Sequence, residues 1–110
     1  MNIKKASEMT GVSIDTIRYY EKIGLIIPIK RLNGIRKFNE RNINQIIFAK
    51  TMRQAGLGIE LLKDYVSLVF ENDSSTVPAR KAILAEAIEK LNDKIDETVK
   101  ARDYLEWKID

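Results

Sequence analysis

The side chains most suited to a chemical role in this 110-residue chain fall within one short segment, residues 11–25. A helix that begins after Ser13 would direct one set of polar side chains away from its apolar side. These polar side chains belong to Asp15, Thr16, Arg18 and Tyr19. Small polar groups, one guanidinium and one phenol can hydrogen-bond to base edges and phosphates. The segment is therefore a candidate helix for contact with nucleic acid.

This helix is predicted to be the second of a helix-turn-helix. The sequence indicates a short first helix from Ile3 to Met9, a turn at residues 10–12 and a second helix that ends at Ile23. Ser13 is a residue type that caps helix N-termini through its hydroxyl. Gly24 is suited to a left-handed C-cap.

A β-hairpin is predicted directly after the helix-turn-helix. Residues 25–38 do not follow helical spacing, and they contain Asn33-Gly34, a strong signal for a two-residue hairpin turn. Such a hairpin would be a wing, with basic side chains that neutralise phosphates. Together, the two parts give the following candidate DNA-binding residues: Lys5, Ser13, Asp15, Thr16, Arg18, Tyr19, Arg31, Asn33, Arg36 and Lys37.

Two more helices are predicted to complete an N-terminal domain, residues 1–71. The first runs from Glu40 to about Gln54 after an Asn39 cap, and the second from about Ile59 to Phe70. The first is expected to be buried through Ile43, Ile46, Ile47 and Met52. Residues 72–76 are polar and form the predicted connector to residues 77–110.

One long helix is predicted from Val77 to Ile109, about 50 Å long at 1.5 Å per residue. Its apolar residues follow the a and d positions of a heptad repeat. The predicted dimerisation residues are Leu84, Ile88, Leu91, Ile95 and Leu105. A coiled coil with a second copy would cover this stripe, whereas folding back on the small N-terminal domain is the alternative. The predicted fold is mainly α, a winged helix-turn-helix followed by a long dimerisation helix.

Charge is unevenly divided between the two halves of the chain. Residues 1–54 hold eleven Lys/Arg and four Asp/Glu, a net charge of +7, whereas residues 55–110 hold eight and twelve, a net charge of −4. This asymmetry is expected when one half meets a polyanion. Taken by itself, the positive charge of the first half could also be a chance excess of lysine in a protein that binds no polyanion.

Composition argues against several classes of protein. The chain has no Cys and no His, so thiolate and imidazole metal ligands are absent, and no cofactor or metal is expected. The sequence shows no nucleophile–base pair and no phosphate-binding loop, so it does not indicate an enzyme. No apolar run has the length of a membrane span or a signal peptide, so the cytoplasm, at the nucleoid, is the expected location.

The sequence resembles the MerR family of bacterial transcription regulators. The resemblance rests on Gly11-Val12-Ser13 with Arg18-Tyr19-Tyr20-Glu21 and Gly24-Leu25, then residues 33–38 and residues 52–57, in family order. It implies that Arg18 and Tyr19 contact DNA, that Arg36 contacts a phosphate and that Tyr20 is partly buried.

Three positions depart from the family pattern. Ile35 and Phe38 stand where tyrosine is usual, which removes the hydroxyls a wing would offer. Gly58 replaces a common Ser cap, at a cost of a few tenths of a kcal/mol.

The resemblance also implies partners and a mechanism. MerR-like dimers bind a palindrome in double-stranded promoter DNA and distort it, so that promoter elements realign for RNA polymerase. An unknown small-molecule effector would act by changing the orientation of the two heads. The chain looks like a short form without a C-terminal effector domain.

An apolar effector pocket is a further candidate site, between the end of the coil and the DNA-binding domains. Its candidate residues are Tyr65, Phe70, Tyr104 and Trp107. The alternative is that these aromatic side chains are structural and pack against the partner's DNA-binding domain. For the whole chain, the alternatives are an excisionase-like or architectural DNA-bending protein and a coiled-coil interaction adaptor.

Overall fold

The computed structural model describes residues 1–110 and begins with the two helices of a helix-turn-helix, α1 (Ile3–Thr10) and α2 (Ile14–Ile23). The Ser13 side chain caps α2 by accepting a hydrogen bond from the Thr16 N–H at 3.1 Å. Gly24 ends the helix with φ +81°, a left-handed conformation that favours glycine. The predicted bounds and both caps of α2 are confirmed.

The predicted hairpin is present and consists of β1 (Arg31–Leu32) and β2 (Ile35–Arg36), which pair antiparallel. Asn33 and Gly34 form the two-residue turn with φ of +53° and +79°. Positive φ at both central residues is the requirement of a type I′ turn, and Asn-Gly is the pair that meets it most easily.

Two helices complete the N-terminal domain, α3 (Glu40–Gln54) and α4 (Ile59–Glu71). Asn39 and Asn42 form a reciprocal capping box at the start of α3, whereas Gly58 gives α4 no side-chain cap. The predicted burial of Ile47 is wrong, because its side chain is 41% exposed. Ile47 follows the fully buried Ile46 by about 100° around the helix and so lies on the flank of the buried face.

The hydrophobic core of residues 1–71, which we call the head, lies among α1, α2, α3 and the start of α4. Its largest fully buried side chains are Ile17, Leu25, Ile26 and Ile46. Because Leu25 and Ile26 follow α2 directly, the segment between α2 and the wing is anchored in the same core as α2.

The long helix α5 (Val77–Ile109) follows a single 3-10 turn at Ser74–Thr76. Its first half packs on the head, because Ala87 is buried in the core and Leu91 packs against it. The core thus includes residues on both sides of the connector predicted at residues 72–76. Residues 92–110 are all exposed and extend the molecule to 64 Å along its longest axis. None of the five helices is both long and apolar enough to cross a membrane.

Candidate nucleic-acid interface

The exposed face of α2 carries Arg18 and Tyr19, as the sequence predicts. The Arg18 side chain is 54% exposed, and Tyr19 is 51% exposed. An ion pair joins Arg18 to Asp15 at 3.7 Å, and the Asp15 side chain is almost fully exposed. Such a surface pair is weak, so it leaves the guanidinium available to an anionic partner.

Ser13 and Thr16 lie on the same face but are engaged with each other. The Ser13 hydroxyl donates to Thr16 Oγ1 at 2.8 Å while it accepts from the Thr16 N–H. Ser13 therefore has a structural role at the start of α2. Its contact with DNA stays a prediction.

The turn between α1 and α2 is held by a lysine that the sequence pattern did not reveal. Lys50 of α3 donates from Nζ to the Thr10 carbonyl at 3.0 Å. The ammonium lies at the C-terminus of α1, where it interacts favourably with the partial negative charge of the helix end. The ammonium has two further N–H groups, so a second acceptor can bind the same nitrogen.

An open groove runs between α2 and the end of α3. It is lined by Gly11, Val12, Ser13, Thr16, Tyr19, Tyr20, Lys50, Arg53, Gln54 and Ile59. The groove places two cations of α3, Lys50 and Arg53, beside the exposed face of α2. Arg53 also donates to the Leu57 carbonyl at 2.5 Å, which fixes its side chain at the α3–α4 turn. Sequence reasoning missed both residues because they lie 27 and 30 positions beyond the end of α2.

The wing and the start of α1 expose most of the remaining predicted residues. Lys5, Arg31, Asn33 and Lys37 are all exposed. Arg31 donates from Nη1 to the Gly34 carbonyl at 3.3 Å, across the hairpin turn. The tip of the wing therefore presents cations on a short, tightly turned scaffold.

Arg36 lies in a different environment from the other wing residues. Its Nε donates to Glu21 Oε1 at 2.7 Å, and the Arg36 and Glu21 side chains are only 21% and 13% exposed. The other carboxylate oxygen of Glu21 accepts from the Ile29 N–H at 2.6 Å. This placement differs from the phosphate contact implied for Arg36, because the guanidinium is turned toward α2.

The Glu21 carboxylate is stabilised in its charged form. Burial by itself raises the pKa of a carboxyl. The Ile29 N–H and the Arg36 guanidinium outweigh burial, with a smaller contribution from the charge of Arg31, and they hold the pKa of Glu21 below its usual value of 4.5. Glu21 therefore stays ionised throughout the neutral range.

We expect this ion pair to stabilise the head in a pH-dependent way. Because the folded-state pKa is lowered, the stabilisation is present above the unfolded-state pKa and disappears as the pH falls through the folded-state pKa. Wild type should melt at a higher temperature than Glu21→Gln near neutral pH, and the difference should shrink below about pH 4.5. Thermal unfolding from about pH 7 to pH 3 measures it, with Glu8→Gln as the control for loss of an exposed carboxylate. A constant difference across that range would contradict the ion pair.

The predicted dimerisation residues divide into two groups. The first group is exposed along α5, as expected of residues that a second chain would cover, and consists of Leu84, Ile88, Ile95 and Leu105. Leu91 differs, because it packs against the core of its own head. Leu91 also lines a shallow apolar groove with Ala55 of the head and with Ile95 and Val99 of α5. The exposed stripe on α5 is thus continuous with the surface of the head.

The four aromatic residues of the candidate effector pocket are not brought together within one chain. Tyr65 packs against Phe48 with ring centroids 5.6 Å apart, and Phe70 is exposed at the end of α4. Tyr104 and Trp107 pair at 5.8 Å on the exposed part of α5. Tyr104 lies 13 residues beyond Leu91, which is about 20 Å along the helix. A pocket that joins all four would require a second chain.

A winged helix-turn-helix joined to a long exposed helix is an architecture typical of DNA-binding regulators. The sequence profile described as "MerR family regulatory protein" matches residues 2–38. The chain is 48% identical over 92 residues to the HTH-type transcriptional regulator AdhR of Bacillus subtilis, and the match covers 83% of this chain. It spans 65% of the length of AdhR.

Solved structures agree with this assignment. A putative MerR family transcriptional regulator from Listeria monocytogenes superposes with a TM-score of 0.95 at 49% identity, over 100% of this chain and 83% of that one. HiNmlR, described as a MerR family regulator lacking the sensor domain and bound to promoter DNA, shares the fold with a TM-score of 0.86 at 24% identity. That match covers 98% of this chain and 86% of HiNmlR.

The chain belongs to the MerR family of transcriptional regulators. The family resemblance and the fold class predicted from the sequence are confirmed. The regulatory names of the relatives also confirm that the chain is not an enzyme.

Proposed function

We propose that this protein binds an inverted repeat in promoter DNA as a homodimer and distorts the DNA to control transcription. The observation that carries the proposal is the groove between α2 and α3. In it, the cations Lys50 and Arg53 lie beside the exposed polar face of α2. A partner there must be anionic and must present hydrogen-bonding groups, as DNA does.

Each head has separate parts for the two kinds of DNA contact. The α2 helix would enter the major groove, where Arg18 and Tyr19 reach base edges and phosphates. The wing would lie on the neighbouring backbone or minor groove through Arg31, Asn33 and Lys37. Lys5, Lys50 and Arg53 would contact phosphates on either side of α2.

The second copy is proposed from the exposed half of α5. Residues 92–110 have no cover within the chain, although Ile95, Leu105 and Ile109 are apolar and fall on a or d positions of the heptad repeat. A second α5 would cover this seam by knobs-into-holes packing. Two heads related by a two-fold axis would read two halves of an inverted repeat.

DNA distortion would link binding to transcription. Bending and untwisting a site of this size costs on the order of 1–6 kcal/mol, which the contacts of two heads would offset. The distorted site would present its promoter elements to RNA polymerase in the correct relative orientation. We place this activity in the cytoplasm, at the nucleoid. A small-molecule effector could act only through unequal affinity for two arrangements of the heads.

Selection of duplexes from a random pool by the full chain tests the proposal. We expect enrichment of an inverted repeat that is bound by two chains. Because bent DNA migrates more slowly when the bend is near the middle of a fragment, the gel mobility of the complex should depend on the position of the site in the fragment. An enriched sequence with a single half-site would contradict the dimer. A pool without enrichment would contradict sequence-specific binding altogether.

A further inference from the structure

We infer that Glu21 and Arg36 form a clasp that holds the wing at a fixed angle to α2, and that Arg36 supports DNA binding through Glu21 instead of through a phosphate. This inference rests on the proposed DNA-binding function. It assigns positioning roles to two residues that sit on different elements, 15 positions apart.

The clasp joins three parts of the head at one carboxylate. Glu21 belongs to the last turns of α2, Arg36 to β2, and Ile29 to the segment that connects them. One oxygen of Glu21 accepts from Arg36 at 2.7 Å and the other accepts from the Ile29 N–H at 2.6 Å. Both oxygens are therefore used, and the two side chains are largely hidden from solvent.

The wing is anchored at its base, where Ile29 and Phe38 are buried in the core, but little besides the clasp fixes it beyond these two residues. Each strand has two residues, and the two strands pair only with each other. Leu32 and Ile35, which face each other across the hairpin, are exposed and give the wing no core contact. An isolated two-stranded hairpin is marginally stable in water. Contacts at its base and the clasp at Arg36 therefore decide where the tip lies.

The position of the wing matters for DNA binding because α2 and the wing must meet the same duplex together. A wing that moves freely must be ordered at the moment of binding, and that entropy cost lowers affinity. A wing already fixed relative to α2 avoids the cost. Glu21 would then raise affinity for a polyanion even though its own charge repels phosphates.

That last point separates the clasp from simple electrostatics. Glu21→Gln removes a negative charge near the DNA, so electrostatics alone would increase affinity. Glutamine offers only one acceptor oxygen, so either the Ile29 N–H or the Arg36 Nε loses its partner. The clasp therefore predicts lower affinity, the opposite sign.

The test is a double-mutant cycle on the affinity of the full chain for its selected duplex. We expect Glu21→Gln and Arg36→Met each to weaken binding by about threefold or more, and the double variant to be about as weak as the weaker single variant. Arg36→Met should leave the slope of log K against log salt unchanged. Lys37→Met, the matched control at an exposed wing cation, should reduce that slope by about 0.9.

Three results would overturn the clasp: a slope change for Arg36→Met equal to that of Lys37→Met, additive losses in the double variant, or an affinity gain for Glu21→Gln. Stoichiometric titration of each variant measures the fraction that is folded and active, so a folding defect is not read as lost affinity.

Failure of the proposed DNA-binding function would give a different result, because the wild-type protein itself would then select no duplex. In that case hydrogen exchange still tests the clasp. We expect the Ile29 amide to exchange faster in Glu21→Gln and Arg36→Met than in wild type, and unchanged exchange would refute the contact.

Discussion

Replacing Ile95 and Leu105 together by glutamate should convert the proposed dimer into a monomer and weaken binding to the inverted repeat by about 100-fold. Both side chains are exposed, 58% and 63%, and neither touches the core of the head. In a coiled coil they would occupy an a and a d position, where a carboxylate is buried without a partner. The monomer would keep an intact head but would lose the gain from engaging two half-sites at once.

Light scattering coupled to size-exclusion chromatography measures the change of mass, and a gel-shift titration measures the affinity. Lys100→Glu is the matched control, because it adds a carboxylate to the same exposed helix at an f position, away from the seam. It should remain dimeric. If the double variant also remains dimeric, the coil is not the dimer interface.

The structure also shows why the head and α5 should be kept together in such experiments. Ala87 is buried in the core and Leu91 packs against it. A truncation at residue 76 would therefore remove part of the core along with the coil. Substitutions beyond Leu91 change only exposed positions of α5.

The second large effect is expected from Arg18→Ala, which should weaken binding to the selected duplex by at least about tenfold. Arg18 is half exposed on α2, and its one ion pair, with Asp15, is long and solvated. Arg18 is not part of the hydrophobic core, so the fold should persist. A base contact would also relax sequence preference at one position of each half-site, whereas a phosphate contact would lower the salt slope.

A gel-shift titration at several salt concentrations measures this effect. Lys81→Ala is the matched control because it removes one exposed positive charge from α5, outside the proposed interface. The affinity of Lys81→Ala for the selected duplex should stay within about twofold of the wild-type affinity. Equal affinities for Arg18→Ala and wild type would exclude the exposed face of α2 as the recognition surface.

Local features of the head were predictable because each depends on neighbouring residues. The Ser13 cap, the Gly24 C-cap and the Asn33-Gly34 turn need only the backbone preferences of one or two side chains. The exposed face of α2 follows from helical spacing alone. The same reasoning misplaced Ile47, because spacing gives the direction of a stripe but not its width.

The contacts that assemble the site were not predictable, since they join residues distant in sequence. Lys50 reaches Thr10 across 40 positions, and Glu21 reaches Arg36 across 15. A charged residue at such a position looks the same in the sequence as one on a free surface. Heptad spacing likewise cannot show that Leu91 faces its own head while Ile95 four residues later is exposed.

Because α5 packs on the head as far as Leu91 and then continues without a break, the proposed dimer has no flexible joint between its two DNA-binding heads. The length of α5 therefore sets both the distance and the rotation between the two heads. Seven residues added beyond Leu91 would lengthen it by about 10 Å and turn the partner by only about 20°. A change of one or two residues would instead rotate the partner's head away from the groove it reads. The spacing of the operator half-sites and the length of this helix must then evolve together, in steps set by the heptad.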